Sequence, residues 1–137
     1  MISDGNDNLS DHALSESVEA AIRAEAVIYC ISTNTDWLAI EGDKPHKIHV
    51  EGGDKVLEQF ADQSGGRVFY PYNVDDLAQS FVDIGEELRS QYFIAYSPKD
   101  TEAVGKYRNI DVETDRKGLT VRTRKGYYSV APPPAGK

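Results

Sequence analysis

Up to residue 91 the apolar residues of this chain fall by turns into short β-branched runs and into stripes at three- and four-residue spacing; beyond it they recur at every second position. This alternation restricts the fold more than any single residue does. A strand, a helix and a second strand in succession imply a parallel sheet, because the helix must carry the chain back across the sheet, and does so in the right-handed sense. Met1 to Ser3 reads as the tail of a first strand, and Asp4-Gly5-Asn6-Asp7-Asn8 has loop composition. Leu14, Val18, Ala21 and Ile22 form one helical stripe, with Ser10 or Asp11 as its expected cap. Ala26 to Ile31 is a nearly continuous apolar run, the pattern of a central parallel strand covered on both faces.

Residues 32 to 52 are polar, have Gly42, Pro45, Gly52 and Gly53 at their turns and hold the single tryptophan, Trp37; a connection of this length reads as a functional or mobile loop. Val56, Leu57, Phe60 and Ala61 define a second amphipathic helix, stopped by Gly65-Gly66, and Arg67 to Tyr70 is the next strand. Asn73 caps a third helix. Asp75 and Asp76 suit its positive end, and Leu77, Phe81, Ile84 and Leu88 are its expected buried face. With the change of period, Tyr92 to Tyr96 reads as a strand, and Tyr107 to Thr114 and Leu119 to Lys125 as an antiparallel hairpin turning around Asp115-Arg116-Lys117-Gly118. The predicted architecture is an α/β domain over residues 1–97, built on a parallel sheet with helices on both faces. A β-hairpin extension over 98–130 packs on the same domain, and a Pro-rich disordered tail covers 131–137. There is no internal repeat.

At 137 residues the chain suits one domain with a core of its own. It has no apolar run near the roughly 20 residues of a membrane span, so no membrane partner is expected, and its opening residues carry no export signal. Cys30, the only cysteine, excludes an internal disulfide and reads as core packing. Net charge is -8 but uneven: residues 1 to 102 carry 7 Lys/Arg against 20 Asp/Glu, and residues 103 to 137 carry 8 against 3. An acidic chain does not attract a phosphate backbone, so nucleic acid is not an expected partner. In the hairpin, Leu119, Val121 and Thr123 are expected to face inward. Arg122 and Arg124, with Arg116, Lys117 and Lys125, then form a solvated basic edge.

The segment Met1-Ile2-Ser3-Asp4-Gly5, a helix, and then Ala26 to Ile31 resemble the fourth strand, metal-site loop and fifth strand of a von Willebrand factor A domain. Leu57 to Tyr70 has that family's helix, glycine break and sixth strand in order. Asp75-Asp76-Leu77 through Tyr92, with Arg124-Lys125-Gly126-Tyr127-Tyr128, is similar to a bacterial subgroup described from Acidobacteria as von Willebrand factor A-related. The likeness spans almost the whole chain and implies the C-terminal half of a partial Rossmann-like parallel sheet. Full-length members of this kind look exported.

What the resemblance implies about function is a protein-interaction module, not an enzyme. Its metal-ion-dependent adhesion site holds Mg²⁺, which accepts an acidic side chain from a partner protein. Asp4 matches the Asp of that site's strand-four Asp-Gly. The family's Asp-x-Ser-x-Ser loop is missing, and the nearest string, Asp62-Gln63-Ser64-Gly65-Gly66, fails at its last position and closes a helix. Because Mg²⁺ prefers six oxygens in octahedral geometry, one loop carboxylate is expected to hold it weakly or not at all; Asp7 is read as solvated. His46 and His49, near Glu51 and Asp54, lack the converging donors of a metal site, and His12 is distant in sequence. No Gly-x-Ser-x-Gly elbow and no phosphate-cradling glycine loop is present. The alternative is a Mg²⁺-dependent phosphoryl-transfer or hydrolase-type domain using Asp4 at a strand end. An unpaired edge beside Met1 to Ser3 also predicts self-association.

Overall fold

The computed structural model describes residues 1–34, 38–41, 44–47, 52–96, 98 and 104–130. In chain order the elements are β1 (Ile2–Ser3), α1 (Leu14–Arg23), β2 (Cys30–Ser32), β3 (Leu38–Glu41), β4 (Lys44–Lys47), α2 (Gly53–Ser64), β5 (Val68–Phe69), α3 (Val74–Arg89), β6 (Tyr107–Asn109) and β7 (Gly126–Tyr128). The fold is mixed α/β. β1, β2 and β5 form a parallel sheet in that order, with Ile2 opposite Ile31 and Cys30 opposite Val68. The run around Cys30 is therefore the central strand, as its composition on both faces demands.

Two crossovers that advance in one direction along a parallel sheet, both right-handed, bring their helices to the same side. Consistent with this, α1 and α2 pack on each other, and α2 lies on β2 and β5. Cys30, Leu57 and Ala61 form the centre of the core, with Ile28, Phe60 and Val68 packed around it. The stripe of α1 delivers Val18 and Ile22 to burial, and the free Cys30 thiol donates to the Leu57 carbonyl at 3.6 Å. Burying a side chain such as Leu57 stabilises the fold by about 2 kcal/mol.

The helix ends follow their sequence signals unevenly. Asn73 caps α3 as expected, its side chain accepting the Asp76 amide at 2.8 Å. Gly65 ends α2 in the left-handed conformation at φ +85°, and a Cβ there would press on the Thr123–Arg124 backbone. α1 differs: its cap position is Ala13, which makes no side-chain hydrogen bond, so neither Ser10 nor Asp11 serves. Instead Ser10 is engaged in its own turn, its hydroxyl donating to the His12 carbonyl.

Several elements depart from the expected bounds. The central strand is shorter than Ala26 to Ile31: its ladder begins at Cys30, and Ala26 and Val27 are exposed. Within the polar stretch expected as a loop, β3 and β4 pair antiparallel, with Leu38 opposite Lys47. The C-terminal hairpin is antiparallel, but β6 pairs with Gly126–Tyr128 rather than with Leu119 to Lys125. The reason is a competing attachment: the Lys125 carbonyl still accepts the Ile110 amide at 2.8 Å, but the Lys125 amide donates to the Gln63 carbonyl at the end of α2, which draws the chain before Lys125 towards that helix. Leu119 and Val121, expected to face inward, are exposed.

The largest departure follows α3. Leu77 and Ile84 are half-buried, but Phe81 and Leu88 are exposed, and α3 packs extensively on no other element among the described residues. Glu87 ties it to the rest of the molecule through Arg67 and Arg122, each at 2.7 Å. Tyr92 to Tyr96, expected as a strand, pairs with none of the described residues and is exposed. Alternation qualifies a segment for a sheet, but a strand also needs a neighbour with free backbone groups. The tail over 131–137 and the turn residues Lys99 and Asp100 lie outside the described residues.

Candidate functional site

In open α/β sheets, ligands are met at the carboxyl ends of the parallel strands, where successive loops converge. In this chain that end gathers the Asp4–Gly5 loop after β1, Ser32 and Asn34 at the end of β2, and the first turn of α2. Gly5 is buried at φ +73°, and a Cβ at Gly5 or at Gly53 would collide with the other loop's backbone. Only a pair of glycines permits this approach. It brings the loop after β1 against the start of α2, although the two are far apart in sequence.

A polar network fixes the junction. The Ser32 hydroxyl donates to Asp54 Oδ1 at 2.7 Å, and Asn34 Nδ2 donates to the same oxygen at 2.9 Å. Asn34 Nδ2 also reaches the Asp4 carbonyl at 2.9 Å, while the Asn34 amide donates to Ser32 Oγ at 3.2 Å. Ser32 and Asp54 are both buried. Three loops are thus locked through one carboxylate that sits in the positive first turn of α2.

Asp4 itself projects outward. Its carboxylate accepts the Asn6 amide at 3.0 Å and Asn6 Nδ2 at 3.2 Å, so the side chain closes a turn within its own loop. Those hydrogen bonds hold its pKa below the usual carboxylate value, although the group is fully exposed. Asp7 likewise closes a local turn, accepting the amides of Leu9 and Ser10. Beneath the loop lies a cleft of about 190 Å³ between α1 and α2, lined by Ser3, Asn6, Leu14, Ser17 and Phe60 among others. A shallower cleft of about 400 Å³ lies away from Asp4, where Val18, Gln59, Gln63, Tyr107 and Tyr128 meet.

The two carboxylates at this junction already have protein partners. Asp4 offers one exposed carboxylate already engaged by Asn6, and Asp54 is turned inward onto Ser32 and Asn34. Among the described residues no three His, Cys, Asp or Glu side chains converge as metal ligands. His12 pairs with Glu16 at 3.0 Å, far from this junction in role, and His49 and Glu51 lie outside the described residues. His46 falls within β4.

Sequence reasoning singled out Asp4 and missed the residues that hold its loop. Ser32 and Asn34 carry a signal, two hydrogen-bonding residues at the end of a buried strand, and Asp54 carries another, an acid in a first helical turn. Their union needed the approach of Gly5 to Gly53. The basic residues also proved to have internal partners: Arg122 meets Glu87, Arg124 meets Glu25 at 3.2 Å, and Lys125 meets Asp62 at 3.0 Å. The positive C-terminal section therefore docks on the acidic remainder. Pairs exposed to this degree contribute about 0 to 1 kcal/mol each. Comparison of the chain with family models, with curated proteins and with solved structures finds no match in any of the three.

Proposed function

We propose that this chain is a protein-interaction module of the von Willebrand factor A type. In this reading β1, β2 and β5 are the C-terminal portion of a Rossmann-like sheet, and the adhesion-type metal site is incomplete. The observation that carries it is the presentation of the Asp4–Gly5 loop at the carboxyl end of β1. The loop is held from below by Asn34 and Gly53, while the Asp4 side chain is left to solvent. A loop braced by its backbone with an acidic side chain facing outward suits contact with another protein better than chemistry on a small substrate. The partner is a protein, and the outer edge of β1, which has no strand beside it among the described residues and where Met1 and Ile2 are exposed, supports self-association as well.

Thermal unfolding with and without Mg²⁺ or Mn²⁺, in the native chain and in Asp4→Ala, tests the cation part of this reading, since anything bound only by the folded state must stabilise it. The expected result is no Asp4-dependent shift. A shift abolished by Asp4→Ala would establish a working cation site instead. The rival reading, phosphoryl transfer or hydrolysis through Asp4, predicts turnover of a phosphate ester that disappears in the same variant, and such turnover would replace the interaction-module proposal.

A further inference from the structure

Half of the chain's prolines stand together, at Pro132, Pro133 and Pro134, shortly after β7. Consecutive prolines favour polyproline II, a stiff left-handed helix without internal hydrogen bonds, so their carbonyls stay free and little entropy is lost on docking. Grooves that receive such a segment are lined by aromatic rings, with side-chain donors beside them to meet those carbonyls.

The cleft of about 400 Å³ between α1, α2 and the β6–β7 hairpin has this lining. Tyr107 and Tyr128 are opposite one another in the ladder, which puts both rings on one face of the hairpin. The rings meet edge-on with centroids 5.2 Å apart, and the Arg23 guanidinium lies 3.9 Å over the Tyr128 ring, packing it against α1. Ser15, Gln59 and Gln63 also line the cleft, and their side chains have no hydrogen-bond partner among the described residues. Two amides and a hydroxyl are thus open to a ligand beside two aromatic rings, in a space of the size that small ligands fill.

The chain carries its own triproline to this place. Tyr107 and Tyr128 stand at the end of the hairpin from which the polypeptide leaves: the Ser129 amide donates to the Lys106 carbonyl, the Gly105 amide donates to the Ser129 carbonyl, and Val130 beyond them is exposed. Ser129, Val130 and Ala131 alone separate Tyr128 from Pro132. Even fully extended they keep Pro132 within about 14 Å of Tyr128. So short a tether holds the triproline around the cleft at a concentration on the order of millimolar.

We infer that the cleft of Tyr107, Tyr128, Gln59 and Gln63 is a polyproline II site and that its occupant is this chain's own Pro132–Pro134 segment. The inference goes beyond the interaction-module reading and stands without it, since Asp4 takes no part in the cleft.

Nitration of tyrosines by tetranitromethane, followed residue by residue by mass spectrometry, tests the inference. A segment tethered at about twice its dissociation constant leaves the cleft open about one-third of the time, so removing residues 131–137 should raise the rate at Tyr107 and Tyr128 about threefold. Tyr92, already 94% exposed, is the residue whose rate should not change. Pro132→Ser, Pro133→Ser and Pro134→Ser together in the full chain should produce the same rise, which separates the polyproline conformation from mere cover. A synthetic peptide of residues 131–137, added at about 10 mM to the shortened chain, should restore the protection. Unchanged rates at Tyr107 and Tyr128 after removal of the segment overturn the inference, and so does a triple Ser chain protected as well as the native one. Protection that rises with protein concentration would put the segment of a second copy in the cleft and overturn the assignment to the chain's own.

Discussion

α2 and α3 are both amphipathic helices, and among the described residues only one of them has found a surface. The stripe of α2 lands on β2 and β5, and Leu57 and Ala61 are nearly sealed from water. The stripe of α3 is as regular, yet Phe81 and Leu88 remain exposed and the helix is held chiefly at Glu87 by two arginines. The contrast separates what an apolar stripe records from what it achieves. A stripe records that a helix needs a partner surface; burial follows only when another part of the fold supplies one within reach. Among the described residues β1, α1, β2, α2 and β5 form a packed unit, and the region from α3 to Tyr96 is an open one.

Substitutions of matched size probe this difference most directly. Leu57→Ala is expected to lower the stability to urea by about 3 kcal/mol, through lost burial and the cavity left behind. Leu88→Ala should change it by no more than about 0.5 kcal/mol, as at other exposed sites. Equal losses in the two variants would mean that α3 is buried in solution and that the comparison is false.

The polar junction comes next in size. Asp54→Ala leaves Ser32 Oγ and Asn34 Nδ2 without their shared acceptor in a buried setting, and about 2 kcal/mol should be lost, while Asp54→Asn, which keeps an acceptor oxygen, should lose less. Should Asp54→Ala prove neutral, the loops at the carboxyl ends of the strands are not held by this network. The smallest effect is expected at the α3 cap. Asn73→Ala should cost that helix about 1 kcal/mol, read as faster amide exchange in its first turns, with little movement of the global unfolding midpoint. A midpoint falling as far as in Asp54→Ala would show that α3 is coupled to the packed unit.

Much of the packed unit was legible in the residues. The run containing Cys30 is the central strand and Gly65 stops α2, and in the open region Asn73 caps α3, because each depends on a local preference that the neighbouring residues do not override. Ser10 and Asp11 were misleading as caps for a local reason too: both suit a helix start, but Ser10 closes a turn with His12, before the cap position at Ala13. The hairpin was legible in kind and wrong in register, since the Lys125 amide finds the Gln63 carbonyl, a partner invisible in the hairpin's own sequence. Of the candidate site, Asp4 was legible through the resemblance of its strand and loop, whereas Ser32, Asn34 and Asp54 were not joined to it.

Taken alone, the amino-acid sequence determined the periodicities, and with them the order of β1, α1, β2, α2, β5 and α3, the parallel sense of the sheet and the identity of the core around Leu57. These follow from side-chain spacing on helix and strand, which every stretch of chain carries with it. The tertiary structure alone decided which stripes were covered, where the C-terminal strand left its ladder, and that Asp54 would be gripped beneath the loop of Asp4. Those outcomes turn on contacts between residues remote in sequence, and a remote contact depends on the position of the whole backbone rather than on the preference of either residue.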